Sequence, residues 1–298
     1  MATISTLRPR IGTRSSNPLS AGFEAPAVVR LWHLTSLDAP TVAVVWMLAF
    51  AWAAHVHLPL WLPAVLALAA WSIYIGDRLL DAHKAQTPLR PRHHFHWEHR
   101  RIFTPLALTA AVAAISIVFC AMPVAARERN SALAVAALAY FTSVHSPWRL
   151  PGRKTQHRLP KELLVGILFT LACATPTLAR VNWGFNLPRV LCVLLALFGY
   201  IALAWLNCHA IECWESDIVP QKSSIFHLAT ALTAAALLAA AVAFTAHFQR
   251  EAAILVAAAF AAAMLAFLDR HKLRLNPVSL RAAADLVLLA PIVLLAIR

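Results

Sequence analysis

Acidic residues are scarce in this chain. Thirteen Asp and Glu stand against twenty-six Lys and Arg among 298 residues, so any carboxylates that fall together are worth locating. Charge of either sign is thin, at 13% of residues, glycine occurs seven times, and 60% of the chain is hydrophobic. A soluble domain of this length needs more polar surface than that to cover itself. The cysteines are few as well: Cys120, Cys173, Cys192, Cys208 and Cys213 lie in or beside apolar runs with no CxxC spacing. That pattern excludes a disulfide framework and a zinc site. A formal net charge of +13 invites comparison with nucleic-acid binders. The basic residues, however, sit in short loops between apolar runs, the arrangement that sets membrane topology and meets anionic membrane lipids. No nucleic-acid partner is expected.

What the chain does have is apolar length. Runs extend over residues 38–56, 59–79, 102–122, 131–147, 162–180, 188–206, 225–247, 251–268 and 282–297. Each approaches the length a helix needs to cross the hydrocarbon core. The expected fold class is an all-α integral membrane protein of about nine transmembrane helices over residues 36–298. Residues 1–35, rich in Ser, Pro and Arg, are expected as a disordered cytoplasmic tail leading into an interfacial helix, not a cleaved signal peptide. Twenty of the 26 Lys and Arg residues fall in the tail and in the loops after the second, fourth, sixth and eighth runs. Only Arg127, Arg129, Arg180, Arg189, Arg250 and Arg298 fall on the other side. The asymmetry predicts a cytoplasmic N-terminus and, with an odd helix count, an external C-terminus.

Two acidic groups close two of these runs. Asp77 and Asp81, spaced i, i+4, project from one helical face at the membrane edge. They read either as helix-end groups paired with Arg78, Lys84 or Arg90, or as an oxygen-ligand site for Mg²⁺ and a phosphorylated substrate. The stretch Asn207-Cys208-His209-Ala210-Ile211-Glu212-Cys213-Trp214-Glu215-Ser216-Asp217 closes the sixth run. Glu212 and Glu215 share a face, Asp217 joins them if the helix ends there, and Asn207 offers a neutral oxygen one turn earlier. Lys222, Ser223 and Ser224 follow as phosphate contacts. Taken alone each group is an ordinary helix end; the coincidence of two on one side of the membrane favours a shared site.

The stretch Asp77-Arg78-x-x-Asp81-x-His83-Lys84-x-x-Thr87-x-x-Arg90-Pro91 resembles the first aspartate-rich motif of the UbiA prenyltransferase superfamily. The second acidic group, followed by Lys222-Ser223, sits where that family carries its second motif. Two departures stand beside the likeness: Ile73 and Tyr74 occupy the positions of the family's leading Asn-Asp, and Cys213 occupies the partner position of Asp217. The resemblance implies a nine-helix bundle that transfers an isoprenyl group from a prenyl diphosphate to an aromatic or otherwise lipid-soluble acceptor. It implies Mg²⁺ held by Asp77, Asp81, Glu212, Glu215 and Asp217. It implies a diphosphate bound by Arg78, Arg90, Lys222 and Asn207, and a cavity lined by Tyr74, whose other reading is an interfacial tyrosine. Two further readings of the same layout are a UbiA-like terpene cyclase and a degenerate lipid-binding protein or transporter.

Three other features are read as structural. The run His93-His94-Phe95-His96-Trp97-Glu98-His99-Arg100-Arg101 matches no zinc spacing. It is expected as an amphipathic interfacial segment with cations toward anionic lipid, which could also cap the site. Asp285, inside the ninth run, is expected to pair with Arg281 one turn earlier. His55, His57, His209, His227 and His247 form no haem-ligand pair.

Overall fold

In a computed structural model, residues 23–84, 90–145, 160–181, 187–215 and 224–296 are described, and among them the chain is almost wholly helical. Twelve α-helices follow in order: α1 Ala27–Leu34, α2 Asp38–Ala53, α3 Trp61–Lys84, α4 Pro91–Glu98, α5 Arg100–Ala121, α6 Val124–His145, α7 Lys161–Leu178, α8 Leu187–Glu215, α9 Ser224–Thr245, α10 Gln249–His271, α11 Pro277–Val287 and α12 Ile292–Ala296. Among the described residues a single 3₁₀ turn covers Lys272–Arg274, and the one extended pairing is an isolated bridge between Phe23 and Leu275.

Among the described residues each of the nine apolar runs is mostly helical, but the expected count of nine spans is not met. Among the described residues six helices are long and apolar enough to cross a membrane: α3, α5, α7, α8, α9 and α10. A seventh counts only if α1 and α2, bent by 91° at their junction, form one broken span. The three shortfalls have local causes. Ser36, with φ 61°, turns the chain sharply before α2, which is only 16 residues long. The helix α6 begins earlier than the apolar run and takes in Arg127, Glu128, Arg129 and Asn130. The ninth run breaks ahead of Pro291 into α11 and the five-residue α12, as a proline interrupts the helical hydrogen-bond ladder.

The helices differ in depth. Of the six, α10 is the most buried, followed by α8, whereas α3, α5 and α9 are largely peripheral. Leu106, Leu108, Val112, Ile115 and Phe119 of α5, and Leu237, Leu238, Val242 and Phe244 of α9, lie exposed. Apolar faces of that extent suit hydrocarbon rather than water. The core is built around Trp46 of α2, fully buried and stacked on Tyr200 of α8 at 3.7 Å. The Trp46 indole N–H donates to the carbonyl of Leu288, 2.8 Å away, which ties α2 to the chain just past α11.

Small residues permit the closest crossing. A Cβ on Gly166 of α7 would lie 3.0 Å from the backbone N of Trp205 and 3.2 Å from the carbonyl O of Ile201. The backbones of α7 and α8 meet so closely that a side chain here would press on the α8 backbone, the close approach that small residues allow in membrane helix pairs. α2, α3, α7 and α8 therefore stand around a common space, with α4 and α11 across one end.

Candidate functional site

That space is a cavity of about 600 Å³. Its walls bring together Tyr74, Asp77, Arg78 and Asp81 from α3, Asn207 and Glu212 from α8, and Arg90 at the entry to α4. The two acidic segments, separated along the chain by the four helices α4 to α7, thus face one volume. Asp217 and Lys222 lie outside the described residues. Glu215 is in place at the end of α8 but is not on the cavity wall. Val42, Phe169, Ala204 and Leu288 add apolar wall, and Arg92, His93, Lys161 and Arg281 add polar wall.

The rim is dominated by positive charge closing on Glu215. Arg90 Nη1 donates to Glu215 Oε2 in a very short contact, Arg281 Nη1 donates to Oε1 at 2.8 Å, and Arg92 Nη1 reaches the same oxygen at 3.4 Å. Glu212 is held more loosely, 3.9 Å from Arg90 and 3.9 Å from Lys161. His93 Nε2 lies 3.9 Å from Asp81 Oδ2. Glu215 is therefore an arginine ligand here, joining α4, α8 and α11 at one point.

The floor holds a group that no local motif announces. His33 Nδ1 lies 2.7 Å from Asp38 Oδ2 and 3.3 Å from Asp285 Oδ2. Arg78 Nη2 lies 3.7 Å from Asp38 Oδ2, and Arg78 Nη1 donates to the carbonyl of His33 at 3.3 Å. Asn207 Nδ2 donates to Asp285 Oδ1 at 3.2 Å, while its own Oδ1 is buried with no hydrogen-bond partner among the described residues. The expected Asp285–Arg281 pair does not form. Arg281 turns to Glu215, and Asp285 takes His33 and Asn207 instead. One turn of spacing made the local pair available, but His33 and Asn207 reach Asp285 from other helices inside the core. Asp38 Oδ1 also accepts from the N–H of Ala39 at 2.9 Å, which fixes the carboxylate at the head of α2. His33, Asp38 and Asp285 offer three ligand atoms within 4.8 Å of one another. With His33 as imidazolium, however, the two cations His33 and Arg78 already match the two carboxylates in charge. The group is complete without a metal.

Above the rim, α4 carries the histidine-rich run. Pro91 at its first position follows Arg90 in an extended conformation, the usual proline entry to a helix. The helix turns Arg92, His93 and His96 inward, so its cations do not all face outward as expected of a purely interfacial segment. His96 Nδ1 donates to the carbonyl of Arg92 at 2.9 Å, which leaves Nε2 to accept from Ser36 Oγ at 3.1 Å. Burial, opposed by that hydrogen bond, holds His96 down at about 4. Burial and the neighbouring Arg92, Arg78 and Arg90 hold His93 down at about 3. Both are neutral near pH 7. Arg92 itself is lowered to about 10, by burial first, with Glu215 opposing and Arg78 and Arg90 adding to the fall. Positive charge is crowded here beyond what Glu215 offsets.

Comparison with protein-family models, curated proteins and solved structures finds no match to this chain.

Proposed function

We propose that this chain is a membrane-embedded, UbiA-like prenyltransferase that moves an isoprenyl group from a prenyl diphosphate to a lipid-soluble, aromatic acceptor, assisted by Mg²⁺. The observation that carries the reading is the shared cavity: Asp77 and Asp81 of α3 and Glu212 of α8 line one volume that has a charged rim and an apolar wall. A hard divalent cation asks for oxygen ligands and few of them from protein. Asp77, Asp81 and Glu212 supply carboxylates, and the unpartnered Oδ1 of Asn207 supplies a neutral oxygen on the same wall. By donor chemistry the set suits Mg²⁺, although among the described residues these three carboxylates do not gather within 4.8 Å of one another. When bound, the ion offsets the negative charge that grows on a departing diphosphate.

The chain's own residues do the remaining work in this reading. Arg90, Arg92, Arg281 and Lys161 hold the headgroup at the rim by charge-assisted hydrogen bonds. Val42, Phe169 and Leu288 shelter the hydrocarbon, where burial is worth about 0.8 kcal/mol per CH₂. Tyr74 lines the cavity, and an aromatic face stabilises a developing allylic cation. The basic loops, by the same reading, place the rim, α4 and the N-terminus on the cytoplasmic side, in contact with anionic lipid.

Incubating the purified chain with a panel of prenyl diphosphates and Mg²⁺, with and without phenolic acceptors, tests the reading through pyrophosphate release. Wild type is expected to release it, and Asp77→Ala and Asp81→Ala to slow release by about 10²–10³-fold. Release without acceptor, accompanied by cyclic hydrocarbon, would identify a cyclase. A wild type inert across the panel would leave a lipid-binding protein, the reading that the arginine-capped Glu215 favours.

A further inference from the structure

Three guanidinium groups on one carboxylate make an unequal bargain. Arg90, Arg92 and Arg281 come from the entry to α4, from α4 itself and from α11, and all three line the cavity. Their common partner is Glu215, with Glu212 a distant second for Arg90. Arg92 and Arg281 are mostly buried, at 12% and 18% side-chain exposure, so water compensates them poorly. Arg281 also keeps its Nε buried with no hydrogen-bond partner among the described residues. A guanidinium presents five donors in a plane. One carboxylate with two oxygens cannot engage three such forks, whereas a phosphate or diphosphate ester, with more oxygens and more charge, can.

We propose that the Arg90–Arg92–Arg281 cluster is a receptor for the phosphate or diphosphate headgroup of an amphiphile, and that Glu215 is its internal occupant, displaced when the headgroup enters. Only the ligand's role as a prenyl donor rests on the function proposed above. The anion site stands by itself. Glu215 then competes with the ligand. While it holds the arginines it latches α4 across the cavity mouth, and exchange of one anion for another keeps the arginines compensated throughout.

Competition gives an unusual sign to the test. Inorganic pyrophosphate is titrated calorimetrically into the detergent-purified full chain in the presence of EDTA, so that neither a divalent cation nor turnover contributes. Glu215→Gln removes the competitor and is expected to tighten pyrophosphate binding about tenfold, while Arg92→Gln and Arg281→Gln weaken it by a similar factor. Weaker or unchanged binding in Glu215→Gln, with arginine variants equal to wild type, overturns the proposal. Hydrogen exchange on the wild type gives the same answer without any substitution. Pyrophosphate should slow exchange in residues 91–98 and speed it in residues 212–215, and protection of both segments or of neither overturns it. Repeating the titration in phosphatidylcholine nanodiscs with and without phosphatidic acid separates the sources of the headgroup. Loss of pyrophosphate affinity in phosphatidic-acid discs assigns the site to a membrane lipid, and retained affinity assigns it to a diphosphate ester. Prenyl-transfer activity plays no part in these readings, so an inert enzyme with a tightened Glu215→Gln sinks the transferase and leaves the receptor standing.

Discussion

The rim and the floor of the cavity are both built from acids and bases, yet they balance differently. At the floor, two carboxylates, Asp38 and Asp285, meet two bases, His33 and Arg78, all within hydrogen-bond or ion-pair reach. At the rim, Glu215 meets three guanidinium groups. The floor is closed in on itself, with His33, Asp38 and Arg78 each under 4% exposed. The rim remains partly wet, Arg90 being 40% exposed. A balanced, mostly buried group is a structural keystone, since taking away any member strands a charge that water compensates poorly. An over-compensated, accessible group is an invitation to another anion. The same chemistry thus has opposite consequences in two places on one cavity.

Removing one member from each place is the sharpest way to break that contrast. Arg78→Met should be the most damaging single change, costing about 3–5 kcal/mol, because it leaves Asp38 facing a histidine shared with a second carboxylate. Asp38→Asn should follow closely. Thermal unfolding in detergent, read by helicity, measures both. If either variant melts with wild type, the floor is not the keystone described.

The next effect belongs to the region between the two, where α4 sits over the cavity with neutral, buried His93 and His96. Their native pKa values, about 3 and about 4, lie below the unfolded value near 6.5. The unfolded chain therefore takes up protons first as pH falls. Stability from these residues is whole above pH 6.5 and declines from there toward pH 4 and then pH 3. The loss amounts to about 2 kcal/mol for each histidine near pH 5. His96→Gln should flatten the decline by its share. An unchanged slope between pH 6.5 and 4 would show that the His96 imidazole is not held neutral.

How much of this was legible beforehand follows the same division. The rim acids lie in two short stretches, Asp77–Asp81 and Asn207–Glu215, where helical spacing alone puts them on common faces, and the cavity gathers most of them. Arg92 reads only as a loop cation and Arg281 as the partner of Asp285, since nothing local says that they converge on Glu215. The floor was illegible. Asp38 reads as the first residue of an apolar run, His33 as part of a tail, and Asp285 as the partner of the nearest arginine. Only the sharp turn at Ser36 and the packing of α1 against α11 bring them together, and both are tertiary events. The nine-helix expectation failed for a related reason. Apolar length predicts that a segment is buried or in lipid, but not that one straight helix uses all of it, as the break before Pro291 and the charged start of α6 show.

The smallest effect on stability should come from Glu215, and its smallness is informative. Glu215→Gln keeps the shape of the side chain and one acceptor oxygen, so a hydrogen bond from Arg281 or Arg90 can persist. The three guanidinium groups lose their anion, but Arg90 is reached by water and Glu212 remains nearby. The Arg90 pair, open to water at 40% exposure, is worth little, and the amide oxygen keeps a partner for the less exposed Arg281, so the expected loss is about 1 kcal/mol, well below that of Arg78→Met. Yet this mild variant is the one expected to bind pyrophosphate more tightly. A residue chosen for stability would fail in the opposite way, with a large melting penalty and no gain in anion affinity. Melting and titration on the same preparation of Glu215→Gln therefore decide whether the rim resembles the floor or differs from it.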